Sequence, residues 1–136
     1  GTEMQTLQLS EDKREAYTGL QAKMAEQRGK MNILGAQLGM ASREEKRNKL
    51  TLTELDALPS DTTTYKAVGR MFIQEPCEKI IEELVTTTKQ AASDIEKFSE
   101  QRVQLESSMK ETEKAIKEIL STAVVVKPGE EDEKDE

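Results

Sequence analysis

The sequence predicts a mostly α-helical chain: a long antiparallel coiled-coil hairpin of two helices with one β-hairpin at its closed end. The main observation is a heptad of apolar residues that repeats without interruption over Cys77–Ala123. A second heptad runs over Gln27–Leu55. Between the two lies a short segment, Thr62–Ile73, that is rich in strand-forming residues and contains one glycine.

The composition favours a narrow coiled coil over a compact globular domain. Charged residues make up 35% of the 136 residues, and the aromatic residues are only two tyrosines and two phenylalanines. The chain has no histidine, the commonest general base and metal ligand, and it has no glycine-rich phosphate loop. We therefore expect a protein that is not an enzyme and that needs no cofactor or metal. The single cysteine, Cys77, lies on the seam, where packing is favoured over a reactive thiol.

The charge balance argues against nucleic acid as a partner. The net charge is −7, and the acidic segment 127–136 holds six acidic residues and two lysines, which is −4 of that total. Binding nucleic acid requires a net positive face. No apolar run approaches the roughly 20 residues of a membrane span, and no stretch resembles a signal peptide. We expect no membrane contact and a cytoplasmic location. The segment 127–136 is predicted to be a disordered, solvating tail, with a recruiting motif as the alternative.

The second coiled-coil helix is predicted over 77–126. No glycine or proline falls between Pro76 and Pro128, and Pro76 itself suits the first helical position. At 1.5 Å per residue the heptad alone would be about 70 Å long. Eleven of its fourteen positions are apolar, the exceptions being Thr88, Arg102 and Thr112. The fourteen positions are Cys77, Ile81, Leu84, Thr88, Ala91, Ile95, Phe98, Arg102, Leu105, Met109, Thr112, Ile116, Ile119 and Ala123.

The first coiled-coil helix is predicted over 10–50, after a flexible N-terminus at 1–9. Ser10 suits the N-cap, because Glu11 and Asp12 would follow it in the first turn. Upstream of the heptad, apolar residues continue at spacings of four, which predicts a shift of phase, or stutter. Those upstream residues are Ala16, Leu20 and Met24, and the heptad itself comprises Gln27, Met31, Leu34, Leu38, Ala41, Glu45, Asn48, Leu52 and Leu55.

Residues 51–76 are predicted to form a short helix plus a β-hairpin that serves assembly. Thr51–Glu54 has the form of a capping box, so we expect the first helix to end near Leu50 and a short one to follow. The strands are predicted at Thr62–Tyr65 and Met71–Ile73, with Gly69 at positive φ in the loop between them.

A two-stranded hairpin is marginal alone in water, and its open edges invite other chains. Apolar residues at Met71–Ile73 would occupy both of its faces. We therefore expect the strands to join those of other subunits. The alternative is that the hairpin folds back on its own helices, but two helices are too narrow to cover both faces. Arg70 is interpreted as a solvated turn residue, with an ion pair to an acidic neighbouring subunit as the alternative.

This arrangement resembles the β class of the prefoldin family. The resemblance rests on Thr51-Leu-Thr-Glu-Leu55, on Leu58-Pro59 and above all on Tyr65-Lys-Ala-Val-Gly-Arg-Met-Phe-Ile73. It extends over about residues 10–123 and is specific only in the central part. A subunit of the α class would need room for two hairpins, and the segment Leu58–Pro76 holds only one.

The resemblance implies a hetero-hexamer of two α-class and four β-class subunits, whose strands join an oligomeric β-barrel that carries six coiled coils. It implies an ATP-independent co-chaperone that captures unfolded actin and tubulin and delivers them to the cytosolic group II chaperonin. The alternative is a coiled-coil scaffold or tether without chaperone activity. The residues expected to mediate oligomerisation are Tyr65, Val68, Gly69, Arg70, Met71, Phe72 and Ile73.

Client binding is expected at the open end of the coil, where apolar residues from both ends of the chain meet. Frayed helix ends would offer an adaptable apolar surface to non-native chains. For Leu20, Met24 and Ile116 completion of the seam is the favoured interpretation, whereas client contact is at least as strong for Leu9 and Val124–Val126. The full set is Leu7, Leu9, Leu20, Met24, Ile116, Ile119, Leu120, Val124, Val125 and Val126.

Overall fold

Two long helices account for most of the chain in the computed structural model, which describes residues 6–126. The predicted tail at 127–136 and the first five residues of the predicted flexible N-terminus lie outside the described residues. The described residues form two compact units, one of residues 6–31 and 103–126 and the other of residues 32–102. In chain order the elements are β1 (Thr6–Gln8), α1 (Glu11–Asp56), β2 (Tyr65–Val68), β3 (Met71–Gln74), α2 (Cys77–Ser121) and β4 (Val124–Val126).

Helix α1 begins where the sequence predicts it. The backbone amide of Lys13 donates to Ser10 Oγ at 3.4 Å, and the amide of Arg14 donates to the Ser10 carbonyl at 2.9 Å. Glu11 and Asp12 place negative charge in the first turn, where it interacts favourably with the helix dipole. The prediction of Ser10 as the N-cap is confirmed.

The predicted end of α1 near Leu50 is wrong, because the helix continues without a break to Asp56. The hydroxyls of Thr51 and Thr53 donate to the carbonyls of Arg47 and Lys49 at 2.9 and 3.0 Å, four residues back. A threonine hydroxyl can form this bond inside a helix, and it can equally cap a helix N-terminus. The half-buried Leu52 and Leu55 carry the seam on past Leu50, so packing favours one continuous helix over two.

In the unit of residues 32–102, the two predicted heptads are the covered positions of both helices. Leu34, Ala41 and Ala91 are fully buried apolar residues, and Asn48 is a fully buried polar one. The other heptad positions of this unit are half-buried, with the exception of Arg102, which is exposed. The 3.5-residue period therefore identifies the buried stripe of each helix.

In the unit of residues 6–31 and 103–126, the predicted stutter is absent. Ala16 is exposed, and the half-buried Tyr17 takes its place, so that Tyr17, Leu20, Met24 and Gln27 continue the alternation of three and four. A tyrosine ring has much more apolar surface to bury than an alanine side chain, so the larger residue is favoured on the seam. The heptad thus runs through α1 with one phase.

A buried polar layer joins the two helices in the same unit. The side-chain amide of Gln27 donates to Ser108 Oγ at 2.8 Å, and Thr112 is 2% exposed with its hydroxyl donating to the Ser108 carbonyl at 3.1 Å. The pairing of Gln27 with Ser108 and the antiparallel pairing of Leu7 with Val125 show that the two helical segments of this unit run antiparallel. Polar residues on a seam fix register at some cost in stability.

The prediction of helix over 77–126 is wrong in its last residues, because α2 ends at Ser121. Val124–Val126 forms strand β4, which pairs antiparallel with β1. Strand β1, at Thr6–Gln8, lies in the N-terminus that was predicted to be flexible. Three consecutive β-branched valines favour a strand over a helix, and β1 supplies the hydrogen-bonding partner. The amides of Thr122 and Ala123 close the helix with bonds to the carbonyls three residues back.

We expect the Gln27–Ser108 bond to show itself through paired substitutions. Ser108→Ala leaves the buried amide of Gln27 without its acceptor and should lower the free energy of unfolding by about 1 kcal/mol or more. Gln27→Leu combined with Ser108→Ala removes both polar groups and should match or exceed wild-type stability. Urea unfolding followed by circular dichroism measures both, with the exposed neighbour Ser107→Ala as the control. Equal losses in the single and the double variant would contradict the expectation.

Candidate functional site

Among the residues whose exposure the structure describes, the largest group of exposed apolar side chains lies on the hairpin formed by β2 and β3. Its turn consists of Gly69 and Arg70, because Val68 pairs directly with Met71. Gly69 has φ = +61°, and no other described residue has a positive φ. A glycine at positive φ in the first central position is the signature of a type II′ turn, whose twist suits a hairpin. The predicted positive φ of Gly69 is confirmed, whereas the five-residue loop predicted around it is wrong.

The strands lie nearer the turn than the sequence suggested. The predicted strand Thr62–Tyr65 is replaced by Tyr65–Val68, since the two-residue turn lets pairing begin at Val68. Thr64 instead closes the base of the hairpin, where its hydroxyl donates to the carbonyl of Glu75 at 2.6 Å and its carbonyl accepts from the Glu75 amide at 3.0 Å. The Pro76 carbonyl then accepts from the amides of Lys79 and Ile80, which makes Pro76 the residue before the first turn of α2.

Both faces of the hairpin carry exposed apolar side chains. Lys66 pairs with Ile73 and Val68 with Met71, and cross-strand pairs share a face, so these four residues form one face. Ala67 with Phe72 and Tyr65 with Gln74 form the other. Every one of these eight residues is exposed, and Phe72 is 75% exposed. The expectation that the helices of the chain leave both faces uncovered is confirmed for the single chain.

The hairpin edges are also open. In the described part of the chain, β2 and β3 form a sheet of two strands, so each has one edge with no neighbouring strand. Unpaired amides and carbonyls along such an edge are a template for strands of another chain. Arg70, at the turn, is exposed and makes no ion pair within residues 6–126. Its ion pair with a neighbouring subunit stays a prediction.

One ion pair ties the hairpin to α2. Lys66 Nζ lies 2.6 Å from Glu83 Oε2, with both side chains partly exposed. The hydrogen bond from Lys66 holds the pKa of the Glu83 carboxyl below its usual value, and the same bond to Glu83 raises the pKa of Lys66. The pair lies on the face that contains Val68, Met71 and Ile73, so it fixes which face of the hairpin is turned toward α2.

The predicted client-binding residues fall into two groups. Met24 is buried at 7% exposure, and Leu9, Leu20, Ile116, Ile119 and Leu120 are half-buried, which agrees with a seam position for Leu20, Met24 and Ile116. Leu7 and Val124–Val126 lie in the β1–β4 strand pair and not in frayed helix. Their contact with unfolded clients stays a prediction.

A groove in the unit of residues 6–31 and 103–126 adds Met109 to two residues of the predicted client-binding set. Met24 and Ile116 line it with Met109, and its rim is polar; its volume is about 320 Å³. Met109 was assigned only to the seam. Because Gln27 bonds to Ser108, the antiparallel pairing of the two helices brings Met109 near Met24. The sequence shows this only once the pairing of Gln27 with Ser108 is known.

Two kinds of feature are absent from residues 6–126: a metal-ligand cluster and a membrane-spanning helix. No group of three or more histidine, cysteine, aspartate or glutamate side chains there could hold a metal ion. Over the same residues, neither helix combines the length and the apolar character that crossing a bilayer requires.

Comparison with known proteins identifies the family. The sequence profile described as Prefoldin subunit matches residues 18–123. Prefoldin subunit 1 of Tetraodon nigroviridis is 35% identical over 112 residues, which cover 82% of this chain and 92% of the relative. The chain belongs to the prefoldin family. Prefoldin subunit 1 of Bos taurus is 36% identical over 107 residues, covering 79% of this chain and 88% of the relative.

The fold comparison agrees with membership in the prefoldin family. The crystal structure of the prefoldin beta subunit from Thermococcus strain KS-1 superposes with a TM-score of 0.69 and covers 77% of this chain and 92% of that one. At 20% identity the likeness concerns the fold. A prefoldin beta subunit therefore shares the two long helices and the single hairpin, and the resemblance drawn from Tyr65–Ile73 is confirmed.

The Lys66–Glu83 pair should give a defined pH dependence. Because the folded pKa of Glu83 is lowered, the contribution of Glu83 to the free energy of unfolding is complete above pH 4.5. It is lost as the pH falls through the lowered pKa. Because the folded pKa of Lys66 is raised, the contribution of Lys66 to the free energy of unfolding is complete below pH 10.5. It is lost as the pH rises through the raised pKa.

The difference in melting temperature between wild type and Glu83→Gln should therefore stay constant between pH 4.5 and 10.5 and shrink outside that window. Thermal unfolding in a pH series measures it. Glu82→Gln, an exposed neighbour on α2, is the matched control and should show no such window. A difference that varied within the window would argue against the pair.

Proposed function

We propose that this chain is a β-class subunit of a hexameric prefoldin co-chaperone, made of two α-class and four β-class subunits. The single observation that supports this most is the hairpin, whose eight strand residues are all exposed although five of them, Val68, Met71, Phe72, Ile73 and Tyr65, are large and apolar or aromatic. An isolated hairpin of this kind gains stability only when other strands cover it. In this proposal the hairpins of several subunits join in one β-barrel.

We further propose that the assembled protein captures unfolded proteins without ATP. The part of the chain at residues 6–31 and 103–126 would make the contact, through the apolar residues named above. Methionines such as Met24 and Met109 adapt to irregular partners. The outer edges of β1 and β4 add backbone groups that an extended, unfolded chain could pair with. Several such ends acting on one client would convert weak contacts into avidity.

Actin and tubulin are the proposed clients, and the cytosolic group II chaperonin is the proposed recipient, with the complex acting in the cytoplasm. These are the assignments that family membership suggests. A passive coiled-coil scaffold is the competing function, and an apolar hairpin with two open edges argues against it, since a scaffold does not need one. Suppression of client aggregation by the assembled chain distinguishes the two.

Assembly should depend on the exposed hairpin residues. Phe72→Asp or Ile73→Asp would place a charge in a covered sheet, at a cost of several kcal/mol. We expect the hexamer to be lost while the helical signal in circular dichroism remains, because neither residue packs on the seam of α1 or α2. Native mass spectrometry after co-expression with partner subunits measures the assembly.

The matched control is Val103→Asp, which introduces the same charge at an apolar residue that is 64% exposed outside the hairpin. It should enter the hexamer with normal yield. Normal yield of the Phe72→Asp hexamer would show that the hairpin is not the interface.

Client capture should depend on the ends of the helices, and no single residue should be essential. Removal of the residues before Leu20 together with those after Glu118 leaves the hairpin intact, so the hexamer should still form. Suppression of aggregation should fall only in part, because the other subunits keep their own ends. Light scattering from a diluted, denatured client measures it.

Removal of 127–136 alone is the control for that truncation. This segment holds no large apolar residue, so its loss should have much less effect. Full activity after the double truncation would place client binding elsewhere on the chain.

A further inference from the structure

Helix α1 carries a second apolar stripe that its seam does not use. Ile33, Met40 and Leu50 are 61%, 66% and 67% exposed, which is unusual for large apolar residues on a helix that already buries another face. They belong to a series with alternating spacings of three and four: Ile33, Ala36, Met40, Arg43, Arg47 and Leu50. All six are exposed. At 100° per residue, their mean direction lies about 150° around the helix from the seam.

The same spacing on α2 gives a different composition. In the unit of residues 32–102, the series that faces away from the α2 seam is polar at every position and exposed: Glu82, Thr86, Lys89, Ser93, Glu96 and Glu100. An outward helix face in water is expected to be polar. The apolar residues of α1 are therefore a property of this one face, and a repeat of 3.5 residues is the pattern with which a helix meets another helix.

The C-terminal half of the stripe is basic, although the chain has a net charge of −7. Arg43 and Arg47 lie on the stripe, with Lys46 at one edge and Glu44 at the other. None of the three cations makes an ion pair with a described residue. A Cβ at Gly39 would lie 3.2 Å from Arg43 Nη1, so the glycine leaves room for the Arg43 guanidinium to lie along the helix. Three unpaired cations beside exposed apolar side chains fit a partner that offers both carboxylates and apolar surface.

We propose that Ile33, Ala36, Met40, Arg43, Arg47 and Leu50 form a second helix-docking face, which binds an acidic amphipathic helix of another protein. The face spans 18 positions, or about 26 Å of helix. A partner helix of about five turns would cover it. Large residues at Ile33 and Met40 with the small Ala36 between them leave a hollow into which a partner side chain can pack.

Two other occupants fit less well. A second copy of the chain would offer no carboxylate among the six residues of this face. In a parallel pairing the arginines would face each other, and in an antiparallel one they would face Ala36 and Met40, so neither arrangement neutralises them. The acidic segment 127–136 matches the charge, but it contains no large apolar residue to cover Ile33 or Met40. The combination of carboxylates and apolar residues therefore points to a different protein. The inference does not depend on the proposed chaperone activity.

The test uses labelled helical peptides of three heptads, about 21 residues, with leucine on the contact stripe. One peptide carries glutamate beside the leucines, a second carries lysine there, and a third is a scrambled form of the first. Fluorescence anisotropy measures their binding to the full-length chain as it purifies. We expect the glutamate peptide to bind more tightly than the other two, and to weaken as salt screens the charges.

Charge exchange gives the decisive comparison. Arg43→Glu with Arg47→Glu should weaken binding of the glutamate peptide by about tenfold or more and make the lysine peptide the tighter ligand. Ile33→Gln with Met40→Gln should weaken both peptides. Lys89→Glu on α2 and Val103→Gln are matched controls at exposed positions and should change neither. Because all these residues are exposed, circular dichroism should report wild-type folding for every variant.

Three results would overturn the proposal. The first is equal binding of the glutamate and lysine peptides to the wild type. The second is an unchanged preference after the double charge reversal. The third is self-association of the wild type, seen by sedimentation, that disappears in the Ile33→Gln, Met40→Gln variant, because it would assign the face to a second copy.

Discussion

The narrow seam between two helices is the constraint on which the rest of the structure depends. A helix pair buries one stripe on each member, and here that stripe includes the fully buried Leu34, Ala41 and Ala91. Nothing comparable covers the hairpin, whose strand residues stay exposed on both faces. The hydrophobic effect within the chain therefore forms the helices and leaves the hairpin uncovered. In the proposed hexamer, assembly would complete the burial of this apolar surface.

The seam is also less apolar than the seam of a coiled coil that is optimised only for stability. Gln27, Asn48 and Thr112 are fully buried polar residues on it. Within residues 9–123, Gln27 is the only one of the three whose side chain forms a hydrogen bond to the other helix. A polar layer of this kind lowers stability, but it penalises shifted alignments, since a shift by one heptad would bury Gln27 without Ser108. Register matters here because it determines where β1 meets β4.

Much of this architecture could be predicted from the sequence, because heptads and turn glycines are local signals. Most seam residues, the Ser10 cap and the positive φ of Gly69 were visible there, although Tyr17 was missed and Arg102 is exposed. The errors arose where a local signal has two physical outcomes. Thr51 and Thr53 can cap a helix or bond four residues back inside one, and only the continued packing of Leu52 and Leu55 decides. Strand β4 depends on β1, its partner from the opposite end of the chain, which no local pattern reveals.

The candidate site was predictable in part for the same reason. The exposed hairpin could be predicted because two helices are too narrow to cover apolar residues on both faces of a two-stranded sheet, whereas its role in assembly stays a prediction. The outer stripe of α1 was missed because a search for one amphipathic face ends when the seam is found. A helix with two heptads satisfies the pattern twice, and only exposed fractions near two thirds at Met40 and Leu50 show that the second remains uncovered. Surfaces that serve other molecules are thus recognised by what the fold of the chain leaves unused.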